Sequence, residues 1–182
     1  MAPSGQMTAS ALQAMLTDAT LAGSWTLDAS RSTIGLRSKS MWGLAPVKGV
    51  FRQVSGTGTV SPAGEVSGAI TAAAASVDTK NKKRDTHLRS ADFFDSDTYP
   101  QITFRVDRLT PSSHGVTVTG ALTVRDRTRP VSFDARASVV DGEVWLDAEL
   151  QVDRSDFGLT WNQMGMASMH NTITVHAVFT KN

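Results

Sequence analysis

The 182-residue chain has no cysteine, which excludes disulfides, thiol nucleophiles and thiolate metal sites. It also lacks a charge of one sign. Lys+Arg number 18 against 17 Asp+Glu, a net charge of +1, so the broad electrostatic drive for wrapping nucleic acid is absent and no nucleic-acid partner is expected. No apolar run is long enough to span a bilayer. The first basic residue is Arg31, and no continuous apolar stretch precedes it as a secretory leader requires, so a cytoplasmic location is the expectation. There is no GxSxG elbow, phosphate-cradling glycine loop, dinucleotide fingerprint, HxH or HExxH. What is present is 40% apolar residues, enough for one domain that buries roughly 70% of its unfolded surface.

The chain changes character near Gly23. From Thr8 to Ala22, Leu12, Met15, Leu16 and Ala19 follow the spacing of one helix face, with Thr8 or Ser10 as the cap and Gly23 as the stop. Residues 1–22 are therefore read as an N-terminal helical extension. It would pack outside the main fold, meet a second subunit, or cover a cavity. From Trp25 onward the period is two, the mark of strands buried on one face. Ile102, Phe104 and Val106; Val116, Val118, Leu122 and Val124; Val131, Phe133, Ala135, Ala137 and Val139; Val144, Leu146, Ala148, Leu150 and Val152; and Ile173, Val175, Ala177 and Phe179 form successive inward sets. Asp141-Gly142, Ser113-His114-Gly115 and Ala63-Gly64 mark the turns between runs. Weaker runs at 25–27, 34–36, 47–60 and 66–74 bring the total to about eight or nine antiparallel strands. Such long strands favour a closed up-and-down barrel, although alternation alone leaves a sandwich open. Small inward residues (Gly56, Gly58, Gly68, Ala72, Ala74, Ala135, Ala137, Ala148 and Ala177) suit either interdigitated packing or a ligand-wide lumen.

Residues 76–100 break the pattern. This polar excursion carries a helix from about Asn81 to Ser90 and is anchored by Phe93 and Phe94; long ordered loops in compact domains tend to bind or cover ligands. The four histidines are scattered, and His176 should face outward. Asp85, His87 and His170 could meet as an acid–base or metal centre, but solvated or structural roles are the simpler reading. Basic groups cluster at Lys80, Lys82, Lys83, Arg84 and Arg89 and again at Arg125, Arg127 and Arg129, without an aromatic stacking platform. Near the C-terminus Met164, Met166 and Met169 follow Phe157-Gly158-Leu159-Thr160-Trp161. With Met41 and Trp42, these adaptable side chains could form a cavity mouth.

The string SVDTKNKKRDTHLRSADFFDSDTYPQITF resembles the diagnostic block of the YceI-like family, bacterial lipocalin-like proteins that bind polyisoprenoid and related lipids. WTLDASRSTIGL, VKGVFRQVSGTGTV, GALTVRDRTRPVSF and VDRSDFGLTW agree with the family in the same order. The resemblance runs from Gly23 to the C-terminus. It implies a mainly β fold, an extended eight-stranded antiparallel lipocalin-like barrel, with a short helical insertion and here an N-terminal helix before the 23–182 barrel domain. It also implies structural roles for the motif residues Arg84, Asp85, His87, Arg154 and Asp156. The chain departs from the pattern around Ser40-Met41-Trp42, where a basic or His residue is usual.

The expected function is non-catalytic binding, carriage or storage of a long apolar lipid of the polyisoprenoid, isoprenoid quinone or fatty-acyl type. No cofactor or metal is expected; a homodimer and transient contact with a membrane surface are further expectations. The alternative is a small enzyme or metal-dependent module using His87, Asp85 and His170. Candidate cavity residues on or beside the strands are Leu36, Phe51, Phe94, Phe104, Leu122, Phe133, Leu146 and Leu150. Those expected toward the mouth are Met41, Trp42, Leu159, Trp161, Met164, Met166 and Met169.

Overall fold

A computed structural model describes residues 7–182; the first six residues of the expected N-terminal extension lie outside the described residues. Helix α1 (Ala9–Thr17) is followed by β1 (Gly23–Leu27), β2 (Thr33–Ser40), β3 (Ala45–Phe51), β4 (Val54–Val60), β5 (Val66–Ala73) and β6 (Val77–Asp78). Helix α2 (Lys82–Arg89) precedes β7 (Gln101–Ser112), β8 (Gly115–Val124), β9 (Arg127–Val140), β10 (Glu143–Asp153) and β11 (His170–Lys181).

The strands close a ring in the order β1-β4-β5-β7-β8-β9-β10-β11 and back to β1, an eight-stranded antiparallel barrel. Beyond β1 the wall is continued by β2 on β11, β3 on β2 and β6 on β3. Segments 23–40, 45–60 and 66–78 thus act as three long staves, each interrupted once. The interruptions have local causes. Asp28 Oδ1 accepts from the Ser30 N–H (2.9 Å) and hydroxyl (2.6 Å), folding the chain out of the first stave. The Arg52 and Gln53 N–H groups leave the ladder for the Ser76 carbonyl and hydroxyl.

Length accompanies hollowness. Strand β9 has 14 residues, ~46 Å at ~3.3 Å each. A bulge between Val106 and Arg108 restores phase, so that Leu109 follows Val106 on the inner face. At the β9–β10 turn Asp141 (φ 51°) and Gly142 (φ 80°) take the left-handed conformations of a tight hairpin.

The two ends of the barrel are closed differently. At the end where β1 begins, α1 turns Leu12 and Leu16, each 6% exposed, onto Trp25, Val116, Val118, Ala135 and Ala137. Burying each leucine stabilises the contact by about 1.5–3 kcal/mol. Thr8 caps the helix by accepting from the Ala11 N–H at 3.2 Å. The helix stops at Thr17 rather than near Gly23, because Asp18 turns back to hold Thr20 and Ala19 adopts φ 62°. Gly64 (φ 82°) lies beneath α1, where a Cβ would come within 2.9 Å of the Leu16 carbonyl oxygen. Of the roles open to this helix, the structure shows a cover over one barrel end.

At the other end β6 and β7 are not paired, and the excursion lies there. Leu88, Phe93 and Phe94 pack with Val77, Leu122, Val124, Phe157 and Leu159. Helix α2 matches the sequence expectation closely, with Asn81 as its cap accepting from the Arg84 N–H at 3.0 Å.

Candidate functional site

A cavity of about 760 Å³ runs inside the barrel from α1 to α2. Inward residues of the long strands remain partly accessible although they point away from bulk solvent. Ile102, Phe104, Val106, Leu146, Ala148 and Leu150 are all half-buried rather than buried, and all face this space. A packed core would have closed around them. The small residues therefore resolve toward a lumen: Gly58, Gly68, Ala72, Ala135, Ala137, Ala148 and Ala177 line it. Gly56 and Ala74 do not. Gly56 lies against Leu27, and Ala74 falls in a short 3-10 turn.

Ten of the sequence candidates are in the cavity wall: Leu36, Phe51, Phe94, Phe104, Leu122, Phe133, Leu146, Leu150, Leu159 and Trp161. Met41, Trp42, Met164, Met166 and Met169 are not. Met41 (φ 51°), Trp42 (φ 53°) and Met164 (φ 52°) sit in left-handed turns that carry their side chains outward, leaving them 54%, 66% and 79% exposed. Met166 and Met169 lie half-buried beside the lining residues Ala167 and Ser168. The two loops are tied at the α2 end by the Trp42 N–H to the Met166 carbonyl (3.1 Å) and the Ser168 N–H to the Lys39 carbonyl (2.9 Å). Sequence reasoning missed Leu12, Leu16, Leu21 and Trp25 as lining residues, although the helical spacing of the leucines was the available signal.

The polarity of the lumen is asymmetric. Toward α2 the wall includes Lys39, Thr79, Asn81, Lys83, Arg84, His87, Arg154 and Asn171, while no Asp or Glu lines the cavity among the described residues. Arg84 donates from Nε to the Thr79 hydroxyl (2.7 Å) and from Nη2 to the Thr79 carbonyl (2.9 Å). The buried Asp85 accepts from the Thr79 N–H (2.9 Å) and hydroxyl (2.6 Å), locking α2 to the end of β6. Arg89 reaches back to the Ala75 and Val77 carbonyls. His87 Nε2 lies 2.8 Å from Asp92 Oδ2, and its ring meets Trp161 (4.3 Å) and Phe93 (5.1 Å) edge-on.

Arg154 opens the 3-10 helix 154–157 and is buried. It donates from Nε to the Ser168 carbonyl (3.0 Å) and from Nη1 to the Leu159 (2.6 Å) and Trp161 (2.8 Å) carbonyls, with its guanidinium 5.5 Å over Phe93. Asp156, by contrast, is exposed and makes no side-chain hydrogen bond among the described residues.

The alternative centre of His87, Asp85 and His170 is not assembled. Asp85 is turned to Thr79, and His170 is exposed beside Asp153 (3.7 Å), outside the cavity wall. Among the described residues no three His, Asp or Glu groups converge as a metal site. His176 faces outward, its Nδ1 2.6 Å from Asp147 Oδ1.

The chain matches the family model of the YceI-like domain over residues 25–180. The chain belongs to the YceI-like family. It is 33% identical over 129 residues to the protein YceI of Escherichia coli, spanning 66% of this chain and 66% of that relative, just under two thirds of its length. Among solved structures it is similar to Burkholderia cenocepacia BcnA, with a TM-score of 0.76 and 26% identity over 84% of this chain and 98% of that one. A polyisoprenoid binding domain from Saccharophagus degradans shares the fold, with a TM-score of 0.69 and 16% identity over 87% and 98% of the two chains. In this member, the wall combines a long apolar bore with cationic groups at one end.

Proposed function

We propose that the protein is a non-catalytic carrier or store for one long apolar lipid of the prenyl or fatty-acyl type, held along the barrel axis. The observation that carries this reading is the hollow bore of about 760 Å³, within the range of small-molecule sites, ~300–1,000 Å³, but drawn out along β7 to β11, whose 10 to 14 residues span ~33–46 Å. Burying about twenty methylene equivalents at ~0.8 kcal/mol each would supply roughly 16 kcal/mol before the ligand's lost freedom is subtracted. The groups of the alternative centre are engaged in local structure, Asp85 by Thr79 and His87 by Asp92. The polyisoprenoid-binding relative supports the prenyl class as ligand.

Loading would occur at a membrane. The exposed large apolar residues Met41, Trp42, Leu44, Trp161 and Met164 all belong to the two loops at the α2 end, with Lys39 in the adjoining strand. An apolar tip beside basic groups suits an anionic lipid surface. Uptake of a fluorescent prenyl or fatty-acyl probe by delipidated protein tests the carriage. Saturable uptake of one chain per barrel is expected, and failure to take up either probe would overturn it. For loading, Trp42→Ser with Leu44→Ser should slow probe transfer from vesicles severalfold; an unchanged rate would remove the membrane step.

A further inference from the structure

The cationic end of the lumen carries more than wall structure requires. Arg154 is 8% exposed, and three backbone carbonyls occupy its Nε and Nη1. Its Nη2 is buried and has no hydrogen-bond partner among the described residues. No carboxylate among the described residues is hydrogen-bonded to it. The neighbouring Asp153 accepts instead from the Ser155 N–H (2.9 Å) and hydroxyl (2.5 Å) and faces His170. Burial in these surroundings pushes the guanidinium below its usual pKa, with Asp153 opposing the shift only from a distance. A buried cation with an unfilled donor is costly unless an anion completes it. Lys83, Arg84 and His87 lie on the same wall with no acidic residue among the lining groups. The ring chain from Arg154 over Phe93 (5.5 Å) to His87 (5.1 Å) and Trp161 (4.3 Å) brings Arg154 and His87 to one locus, and Lys83 and Arg84 lie about one turn before His87 on α2.

We propose that Arg154, with Lys83, Arg84 and His87 beside it, receives the anionic headgroup of the bound amphiphile, a carboxylate or phosphate, while its chain fills the apolar bore. This rests on the carrier reading and gives the ligand a polarity, head toward α2 and tail toward α1. The three carbonyl bonds fix the guanidinium plane, so the spare donor is preorganised for an oxyanion.

The test uses delipidated protein and four probes: dodecanoic acid and dodecyl phosphate, the uncharged dodecanol of equal chain length, and inorganic phosphate alone. Calorimetry or displacement of a bound fluorophore should give each anionic chain an affinity about tenfold or more above dodecanol, the effect of one hydrogen bond to a charged group. Inorganic phosphate should not displace dodecyl phosphate at equal concentration; displacement as effective as that by dodecyl phosphate itself would assign the site to a free anion and overturn the headgroup assignment. Arg154→Met and Arg154→Lys are each read as the ratio of acid to alcohol affinity within one variant, which cancels any general loss of folded protein. The ratio should fall toward one in Arg154→Met and to an intermediate value in Arg154→Lys. Equal affinity of the wild type for dodecanoic acid and dodecanol would overturn the proposal while leaving carriage intact, whereas no binding of any chain would remove the carrier reading itself.

Discussion

Replacing Ala148 with Phe separates a hollow barrel from a packed one. Ala148 lies between Ala135 of β9 and Val175 of β11, and all three side chains line the lumen. In a close-packed core, a benzyl group added there would force neighbouring side chains off their rotamers and cost about 1–3 kcal/mol of stability. In the observed bore the ring enters empty space, so the change in unfolding free energy should stay under about 1 kcal/mol by guanidinium titration. The same ring would displace about three methylenes of a bound chain at ~0.8 kcal/mol each, or ~2.4 kcal/mol, an affinity loss of about 60-fold. Denaturant midpoint and acyl-probe affinity, measured on one preparation, give opposite signatures for the two cases. Destabilisation of 2 kcal/mol or more with chain affinity intact would refute the reasoning.

Other consequences follow from particular contacts. Asp85→Ala leaves the buried Thr79 N–H and hydroxyl without their acceptor and should destabilise by about 2–3 kcal/mol, with faster hydrogen exchange through 79–90 than in β8 and β9. Leu16→Ala, at the α1 cover, should cost about 2–3 kcal/mol, the lower part of the Leu→Ala range because the site borders open lumen, and should speed release of a bound acyl probe. Acid should weaken the fold through Asp28 and Asp78. Asp28 is lowered to about 2 by the Ser30 hydroxyl and Arg31, and Asp78 to about 2 by the Lys80 N–H and Arg52. Both folded values lie below the ordinary 3.8, so their stabilisation is complete above that value and is lost as pH falls from 3.8 toward about 2. A thermal midpoint that rises over that interval in the wild type, or falls equally in Asp28→Asn with Asp78→Asn, would contradict the assignment.

The long strands were legible because strict alternation is a local signal: the inward sets of β8, β9, β10 and β11 read directly from residues 116–179, and Asp141-Gly142 marked its hairpin. Helix α2 was equally plain from Asn81 and the polar run after it. The breaks in the three staves were not, since they depend on groups distant in sequence, such as Ser76 drawing the Arg52 and Gln53 N–H groups out of register. Closure into a barrel also hangs on the β1–β11 pairing between the chain's two ends, which no local pattern encodes. Which way the residues expected toward the mouth would point was not legible either, because composition carries no backbone sign: left-handed turns at Met41, Trp42 and Met164 carry those side chains outward. Arg154 was recognisable as a motif residue, but its spare Nη2 emerges only once the Leu159, Trp161 and Ser168 carbonyls are folded around it.

The central claim is that the bore holds a lipid chain. Mass spectrometry of an organic extract from natively purified protein tests it most directly. The account predicts one long-chain prenyl or acyl species enriched in near-stoichiometric amount over an extract of an unrelated protein prepared alongside, and an acidic head on that species would match the cationic end of the lumen. An extract with no enriched lipid, from protein that also takes up no chain probe, would contradict it.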